Sequence, residues 1–273
     1  MIQFFVEALQ YDFMRNALLA GILVSIVCGV IGTYVVVKRI VFVSGGVAHT
    51  AYGGVGLAYF LGFNPTLGAI LFSLGAAFGM GWVHRKTRQR ADTIIGVMWA
   101  LGMALGIIFL DLTPGYKADL MSYLFGSILA VPTGDLWLML IMNVLIITVV
   151  ILFYKELLAV AFDEQYALVE NVPVDWIYML LMGMIGLSVV MLMRVVGLIM
   201  VIALLTIPAA ISAMYLRDLK KMMVLASVLG MVFTFVGLFL SYTLNLTSGA
   251  SIILVAGAAY LASLFVQTRK QSG

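Results

Sequence analysis

One histidine, His49, lies within an uncharged apolar stretch, VFVSGGVAHTAYGGVGLAYFLGF, and its type and position suit it to chemistry. The residues that share its face at helical spacing are mostly glycines: Gly45, Gly46, Tyr52, Gly53 and Gly56. The imidazole would therefore project from a face that permits close approach. Ionisable groups in apolar segments are costly and mark functional sites, and imidazole carries protons and binds Zn, Mn or Fe ions. A structural alternative stays open, in which His49 only hydrogen-bonds across a helix interface.

The composition indicates an integral membrane protein. Apolar residues make up 64% of the 273 residues and charged residues only 10%, which a soluble domain of this size could not bury. The fold class is therefore an all-α, polytopic helical bundle in a lipid bilayer. Cys28 is the only cysteine, which excludes an intrachain disulfide and a multi-cysteine metal site. The net charge of +3 comes from lysines and arginines in the connections and indicates no nucleic-acid partner.

Apolar runs of membrane-spanning length recur along the chain, and we expect eight or nine crossings. The predicted spans are residues 16–37, 41–63, 66–83, 93–110, 136–153, 176–193, 195–216, 222–244 and 249–266. The small-residue patterns GAAFG (Gly75–Gly79) and GMALG (Gly102–Gly106) predict close helix packing.

The distribution of basic residues predicts the orientation. With nine alternating crossings, an external N-terminus and a cytoplasmic C-terminus, only Arg15, Lys117 and Arg194 of the 15 lysines and arginines lie outside. The positive-inside rule favours this orientation over its mirror image. The basic residues on the cytoplasmic side would be Lys38, Arg39, Arg85, Lys86, Arg88, Arg90, Lys155, Arg217, Lys220, Lys221, Arg269 and Lys270.

Two segments do not fit a plain crossing. In residues 1–15, aromatic residues alternate with charged residues. This pattern predicts a short helix at the membrane–water interface on the external side, with a disordered end as the alternative. Residues 120–132 are apolar but too short to span, which predicts a re-entrant half-helix on the outer side. If that segment crossed instead, the downstream orientation would invert.

The segment FDEQYALVENVPVD, residues 162–175, predicts a short amphipathic helix between two spans. Asp163 can cap the helix, Glu164 falls in its first turn and Pro173 follows its end. An ordinary connecting loop is the alternative. A protruding helix of this kind is one way for a membrane subunit to be held by a soluble motor protein.

An ordered set of segments resembles the metal-importing ABC transporter permeases, a family that includes bacterial zinc and manganese uptake systems. The segments are FMRNALLAGILVSIVCGVIGTYVVVKRIVFVSGGVAHTAYGG, RADTIIGVMWALGMALGIIF, LFGSILAV, FDEQYALVENVPV, VVGLIMVIALLTIPAAISAMYL and TSGASIIL. Together they cover nearly the whole chain in order.

The resemblance implies a single permease domain, residues 1–273, that works as a homodimer in a prokaryotic cytoplasmic membrane. Two cytosolic ABC ATPase subunits would bind and hydrolyse ATP, and an external solute-binding protein would deliver the metal, so no catalytic residue or resident cofactor is expected here. Residues 162–173 would form the coupling helix. Its ATPase-docking residues would be Phe162, Asp163, Glu164, Tyr166, Leu168, Val169 and Glu170.

The chain departs from the family pattern beside His49. Many members carry an aspartate four residues before the histidine and a serine just before it, whereas this chain has Gly45 and Ala48. Either two His49 side chains from a dimer bind the ion with water, or oxygen ligands come from backbone carbonyls or from helper residues. The candidate helpers are Ser44, Thr50 and Tyr52. Nitrogen-rich ligation favours zinc over manganese or iron as the transported metal.

Two other function classes compete with an importer permease. An ion-coupled secondary transporter usually requires buried acids or lysines, and the predicted spans contain no acid. An intramembrane enzyme would require a catalytic pair, and His49 has no obvious nucleophile in its own span. Both features weigh against these alternatives.

Overall fold

In a computed structural model, residues 10–86, 91–114, 126–198 and 201–271 are described, and they form 11 α-helices, one short 3-10 helix and no strand. The first four helices are α1 (Asp12–Val37), α2 (Val41–Leu61), α3 (Pro65–Lys86) and α4 (Ala91–Leu112). The 3-10 helix (Ile128–Ala130) precedes α5 (Thr133–Leu152), α6 (Tyr154–Phe162) and α7 (Glu164–Val169). The last four are α8 (Val174–Val196), α9 (Val201–Tyr215), α10 (Leu219–Leu244) and α11 (Ser248–Gln271).

The predicted helical membrane bundle is confirmed. In the described ranges, 7 helices are long and apolar enough to cross a membrane, namely α1, α3, α4, α5, α8, α10 and α11. The other two predicted spans correspond to α2, whose apolar character is diluted by glycines and His49, and to α9, which has only 15 residues. The expected total of eight or nine crossings therefore stays a prediction.

Polar contacts join neighbouring helices at the two opposite faces of the bundle where the helices begin and end. At one face, Arg194 near the end of α8 pairs with Asp135 at the start of α5 (Nη1 to Oδ2, 3.1 Å) and donates to Thr66 at the start of α3. At the other face, Lys38 after α1 pairs with Glu164 of α7 (Nζ to Oε1, 2.5 Å). The second face is called the α7 face below.

Two helices occupy the middle of the bundle. The first, α1, contacts α5, α8, α9 and α10, while α2 lies between α3 and α4. Glycines allow the close packing of α2, because a Cβ placed on Gly54 would lie 2.1 Å from the carbonyl oxygen of Gly68 in α3. Gly102 of α4 similarly lies against the backbone of Thr50. The GMALG prediction is thus confirmed, whereas close packing at GAAFG stays a prediction, since within the chain a Cβ on Gly75 would contact nothing within 4 Å and one on Gly79 would meet only Met98 at 3.8 Å.

The two unusual segments are only partly described. The first membrane helix begins at Asp12, so residues 12–15 belong to α1, and residues 1–9 of the predicted interfacial helix lie outside the described residues. Residues 120–125 also lie outside them. Residues 126–132 of the predicted half-helix form only the 3-10 helix Ile128–Ala130 between non-helical residues, not an α-helix. They place buried Ile128 against α1, and Gly126 (φ +65°) lies directly against the backbone of Gly197 (φ +78°). Gly197 ends α8. The segment therefore meets the bundle at the break between α8 and α9.

Candidate functional site

His49 lies in the middle of α2 and is 6% exposed. Its ring centroid is 3.9 Å from the ring centroid of Trp99 in α4, with the planes tilted by 32°. This approach follows from the glycine-rich sequence of α2, because Gly53 and Gly56 bring its backbone against Gly102 and Gly106 of α4. The close approach predicted for the His49 face is therefore made by a helix of the same chain.

The backbone fixes how the His49 ring can act. Its Nδ1 is 2.9 Å from the carbonyl oxygen of Gly45, one turn earlier in α2. A carbonyl only accepts, so this contact requires Nδ1 to carry the proton and leaves the lone pair on Nε2. Among the described residues no hydrogen bond engages Nε2. A neutral histidine held in this tautomer is the form that coordinates a metal ion through Nε2.

The three candidate helper residues do not assemble into an oxygen cage around His49. Ser44 Oγ donates to the carbonyl of Val41 at 2.7 Å, and Thr50 Oγ1 donates to that of Gly46 at 2.8 Å. Tyr52 is buried where α2 meets Gly106 of α4. Their roles as ligands stay predictions.

No group of three histidine, cysteine or acidic side chains able to hold a metal ion occurs within the described part of the chain. His49 is therefore not part of such a group, and further ligands would be the predicted helper residues, backbone carbonyls, water or groups from another molecule.

The position that lacks a carboxylate, Gly45, is covered by an apolar residue that the sequence did not identify. A Cβ on Gly45 would lie 2.4 Å from Cδ1 of Ile202 at the start of α9, and 3.1 Å from Cζ3 of Trp99. Ile202 therefore occupies the space that a side chain at position 45 would need. The contact between Gly45 and Ile202 could not be predicted from the sequence, because the two residues are more than 150 positions apart in the chain.

The short helix α7 forms the second candidate site. Asp163 caps it, with Oδ1 accepting from the backbone N–H of Gln165 (2.9 Å) and of Tyr166 (3.1 Å), which confirms the predicted cap. The helix runs only from Glu164 to Val169, so the predicted coupling helix of residues 162–173 is too long: Phe162 belongs to α6, and Asn171 (φ +58°) turns the chain toward Pro173 and α8.

Exposed apolar side chains lie on α7 and on the last residue of α6. Four residues, called the docking face below, are between 57% and 79% exposed: Phe162, Tyr166, Leu168 and Val169. Ala167 on the opposite face is fully buried against the bundle. Clusters of exposed apolar side chains are typical of interaction sites, and four exposed large side chains on nine residues are more than a solvated loop requires.

Glu164 was predicted to be a docking residue, but its carboxylate is bound within the chain. Oε1 accepts from Lys38 Nζ at 2.5 Å, and Oε2 from Arg85 Nη1 at 3.2 Å. Arg85 also pairs with Asp175 at the start of α8, and Lys38 donates to the carbonyl of Val160 in α6. The ion pairs thus tie α7 to the ends of α1 and α3. This geometry indicates an anchor for α7, while the docking role predicted for Glu164 has no support in it.

Electrostatics around Glu164 favour its ionised form. Partial burial alone would raise the pKa of the carboxyl group, but Lys38 and Arg85 outweigh that effect and hold the pKa below its usual value. The anchor is therefore fully charged at neutral pH.

Comparison with known proteins identifies what the chain resembles. The model of the family described as "ABC 3 transport family" matches residues 10–267. The membrane protein slr2045 of Synechocystis sp. is 61% identical over 97% of this chain and 94% of its own length. The manganese transport system membrane protein MntC of Listeria monocytogenes is 38% identical over 92% of this chain and 90% of its own.

A solved structure shares the fold. It is that of PsaBC from Streptococcus pneumoniae in complex with Fab, which matches with a TM-score of 0.89 and 34% identity and covers 97% of this chain and 96% of the matched chain. The likeness therefore extends over the whole helical bundle rather than one motif.

Proposed function

The chain belongs to the ABC 3 transport family, and from this premise we propose that it is the membrane-spanning permease of an ATP-driven importer of divalent metal ions. Homologues in the family are non-catalytic permease subunits, and their ATPase is a separate subunit. The observation that carries the proposal is the family match over residues 10–267, because it includes both His49 and α7. From the site geometry we propose a role for each.

His49 is the proposed contact with the transported ion. Its Nε2 lone pair is available, its ring is fixed by the Gly45 carbonyl and Trp99, and it lies in the middle of a helix that is buried on both sides. Because one protomer supplies one nitrogen, a second copy of the chain would supply a second His49, with water completing the coordination shell. A homodimer with a twofold axis beside the transport path is the simplest arrangement that does so.

The cargo is a divalent transition metal, and two observations favour different ions. The name of the Listeria relative specifies manganese, and the expectation of zinc finds no support among the relatives' names. The composition of the site favours zinc, because it holds an imidazole and Gly45 where manganese would prefer carboxylate oxygen.

The docking face of α7 is the proposed contact with the ATPase. Phe162 and Tyr166 would insert into a groove of that partner, as aromatic anchors do at most protein interfaces. Movement of the ATPase would reach the bundle through Glu164, which joins α7 to Lys38 and Arg85.

The remaining assignments follow from the same proposal. The chain would lie in the cytoplasmic membrane of a prokaryotic cell with its N-terminus outside and the α7 face inside. Two copies would bind two ATPase subunits, and an external solute-binding protein would deliver the metal. The competing secondary-transporter function has no support at the site, since none of the described acids or lysines is buried.

Elemental analysis of cells tests the proposal and the choice of metal together. Cells with and without the gene are grown in medium limited in manganese or in zinc, and their metal content is measured by mass spectrometry. We expect the deletion to lower the content of one of the two metals, and a plasmid copy to restore it. Unchanged manganese and zinc in the deletion strain would contradict the proposed function.

A further inference from the structure

A groove of about 660 Å³ opens sideways at the α7 face, between α1, α5, α6 and α10. Its walls are apolar and include Val30 of α1, Ile151 of α5 and Val224 of α10. Ile151 is 68% exposed and Val224 is 65% exposed, so the groove faces away from the protein interior. In a membrane-spanning bundle, a lateral apolar surface of this kind faces the acyl chains of lipids.

The mouth of the groove is basic. Lys155 and Lys220 line it together with one acidic residue, Glu156. Lys220 Nζ lies 4.7 Å from the ring centroid of Tyr154, which holds the ammonium group at the rim. A smaller cavity of about 360 Å³ continues along α10, and its lining adds Lys221. Three lysines thus lie at this rim with two acids, Glu156 and Asp218, the latter beside Tyr154, which leaves an excess of positive charge.

The depth of the mouth matches a lipid headgroup. The spanning helix α5 ends at Leu152 and α10 begins at Leu219, so the lysines lie where the hydrocarbon part of the bundle ends. Basic pockets between spanning helices at the cytoplasmic membrane surface bind anionic headgroups, and long lysine side chains readily reach the interface.

From this arrangement we propose that the groove binds an anionic phospholipid, with one acyl chain along the apolar wall and the phosphate between Lys155 and Lys220. A second copy of the chain fits this surface less well. The exposed apolar wall beside lysines at the membrane boundary is the pattern of a lipid site, and the oligomeric state of the Val224→Trp variant described below distinguishes the two occupants. The proposal rests on the membrane location of the chain and is independent of metal import.

Native mass spectrometry of the full-length permease tests this site. The protein is purified from vesicles that contain phosphatidylglycerol and phosphatidylcholine, and the lipids retained at increasing collision energy are counted. Wild-type protein should retain phosphatidylglycerol in preference to phosphatidylcholine. The Lys155→Gln/Lys220→Gln variant should bind phosphatidylglycerol roughly tenfold more weakly, because each basic residue near an anionic lipid contributes to binding.

Three further variants distinguish lipid binding in the groove from a general effect of surface charge. Lys155→Arg/Lys220→Arg keeps both charges and should bind as wild type does. Lys86→Gln/Arg269→Gln removes two charges from elsewhere on the α7 face and should leave retention unchanged. Val224→Trp keeps every charge but fills the apolar wall, and it should also lower retention.

Retention of phosphatidylglycerol by the Lys155→Gln/Lys220→Gln and Val224→Trp variants at the wild-type level would overturn the proposal. Glycerol phosphate competing as well as the lipid would overturn the acyl-chain part. Loss of dimers or of the ATPase from the Val224→Trp variant, with lipid retention unchanged, would assign the groove to a protein partner instead.

Discussion

The coordination chemistry of an imidazole depends on which ring nitrogen carries the proton, and at His49 the backbone decides it. The Gly45 carbonyl 2.9 Å from Nδ1 leaves the lone pair on Nε2. Trp99 then limits the rotation of the ring through a 3.9 Å contact. A single oriented nitrogen is a weak ligand set alone, which suits an ion that must pass through the site rather than remain there.

At the residue scale, Gly45 and Ile202 provide the sharpest test of metal preference. Gly45→Asp alone should be destabilising by about 1–3 kcal/mol, since the new side chain overlaps Ile202 and overpacks the helix contact. Combining it with Ile202→Ala removes the overlap and places a carboxylate one turn from His49. We expect the double variant to bind manganese more tightly relative to zinc than wild type does, because manganese prefers carboxylate oxygen.

Competition binding of manganese and zinc to the purified double variant measures this shift. Ile202→Ala alone is the matched control and should keep the wild-type preference. If the folded double variant shows the wild-type ratio of affinities, position 45 does not face the bound ion.

The sequence identified His49 as a candidate ligand but not the residues that hold it. Its rarity in an apolar segment and its glycine neighbours could be read directly. Trp99 and Ile202 could not, because both contacts depend on how α2 packs against α4 and α9. Single-chain periodicity shows which face of a helix is apolar, but not which residue of another helix meets it.

At the scale of elements, α7 combines an exposed apolar face with a charged anchor. The sequence predicted the helix and its Asp163 cap correctly, since both depend on local hydrogen bonding. It assigned Glu164 to the partner surface, whereas the structure pairs it with Lys38, more than 100 residues earlier. Local signals therefore predicted the helix, and tertiary contacts determined which of its residues face outward.

The anchor can be tested by Glu164→Gln. The neutral amide should weaken the contacts with Lys38 and Arg85, each worth at most about 1 kcal/mol because the carboxylate is partly exposed. We expect faster hydrogen exchange over residues 164–169 and reduced ATP-driven uptake, with the ATPase still bound. Asp12→Asn, which neutralises an exposed acid at the start of α1, far from α7, is the control and should match wild type.

The pH dependence of this anchor follows from the sign of the pKa shift. A carboxyl group whose pKa is lowered in the folded state contributes stability above its unfolded pKa and loses it as pH falls through the folded value. Because the pKa of Glu164 is lowered, the protection factors of residues 164–169 in wild type, which are exchange rates corrected for the intrinsic pH dependence of amide exchange, should stay constant from about pH 8 to about pH 5. Loosening of the helix within that range would contradict the anchor.

The docking face is tested by Phe162→Ala/Tyr166→Ala. Each aromatic side chain buried in a partner contributes roughly 2 kcal/mol, so the double variant should lose most ATPase binding. Co-purification of the ATPase measures the loss. The control variant Phe60→Ala/Phe63→Ala removes two exposed aromatic side chains around the end of α2, on the side of the bundle opposite the α7 face. This variant should retain the ATPase. Wild-type recovery of the ATPase with the Phe162/Tyr166 variant would remove α7 from the interface.

At the scale of the whole molecule, the sequence predicted the class of fold well. Hydropathy and length gave the spanning helices, because each helix must satisfy its own backbone in lipid. The predicted boundary at residue 195 falls within two residues of the break at Gly197. The packing order could not be predicted, since α1 contacts helices from both halves of the chain.

Orientation is tested by cysteine labelling in a Cys28→Ala background. Pro114→Cys and Gly134→Cys flank the predicted re-entrant segment, and a side chain at Gly134 meets open space. Both should react with an impermeant thiol reagent from outside the cell, while Gln165→Cys on α7 should react only in opened cells. Labelling of Pro114→Cys and Gly134→Cys from opposite sides would mean that residues 120–132 cross the membrane.

We propose that ATP hydrolysis by a partner subunit drives a divalent metal through this chain past His49. The most direct measurement is metal accumulation in proteoliposomes that contain the permease, its ATPase and its binding protein, with and without ATP. We predict ATP-dependent accumulation that His49→Ala abolishes and that His84→Ala, which changes the exposed histidine on the α7 face, leaves intact. Accumulation that proceeds without ATP under a proton gradient, or that persists at the wild-type rate in His49→Ala, would contradict the account.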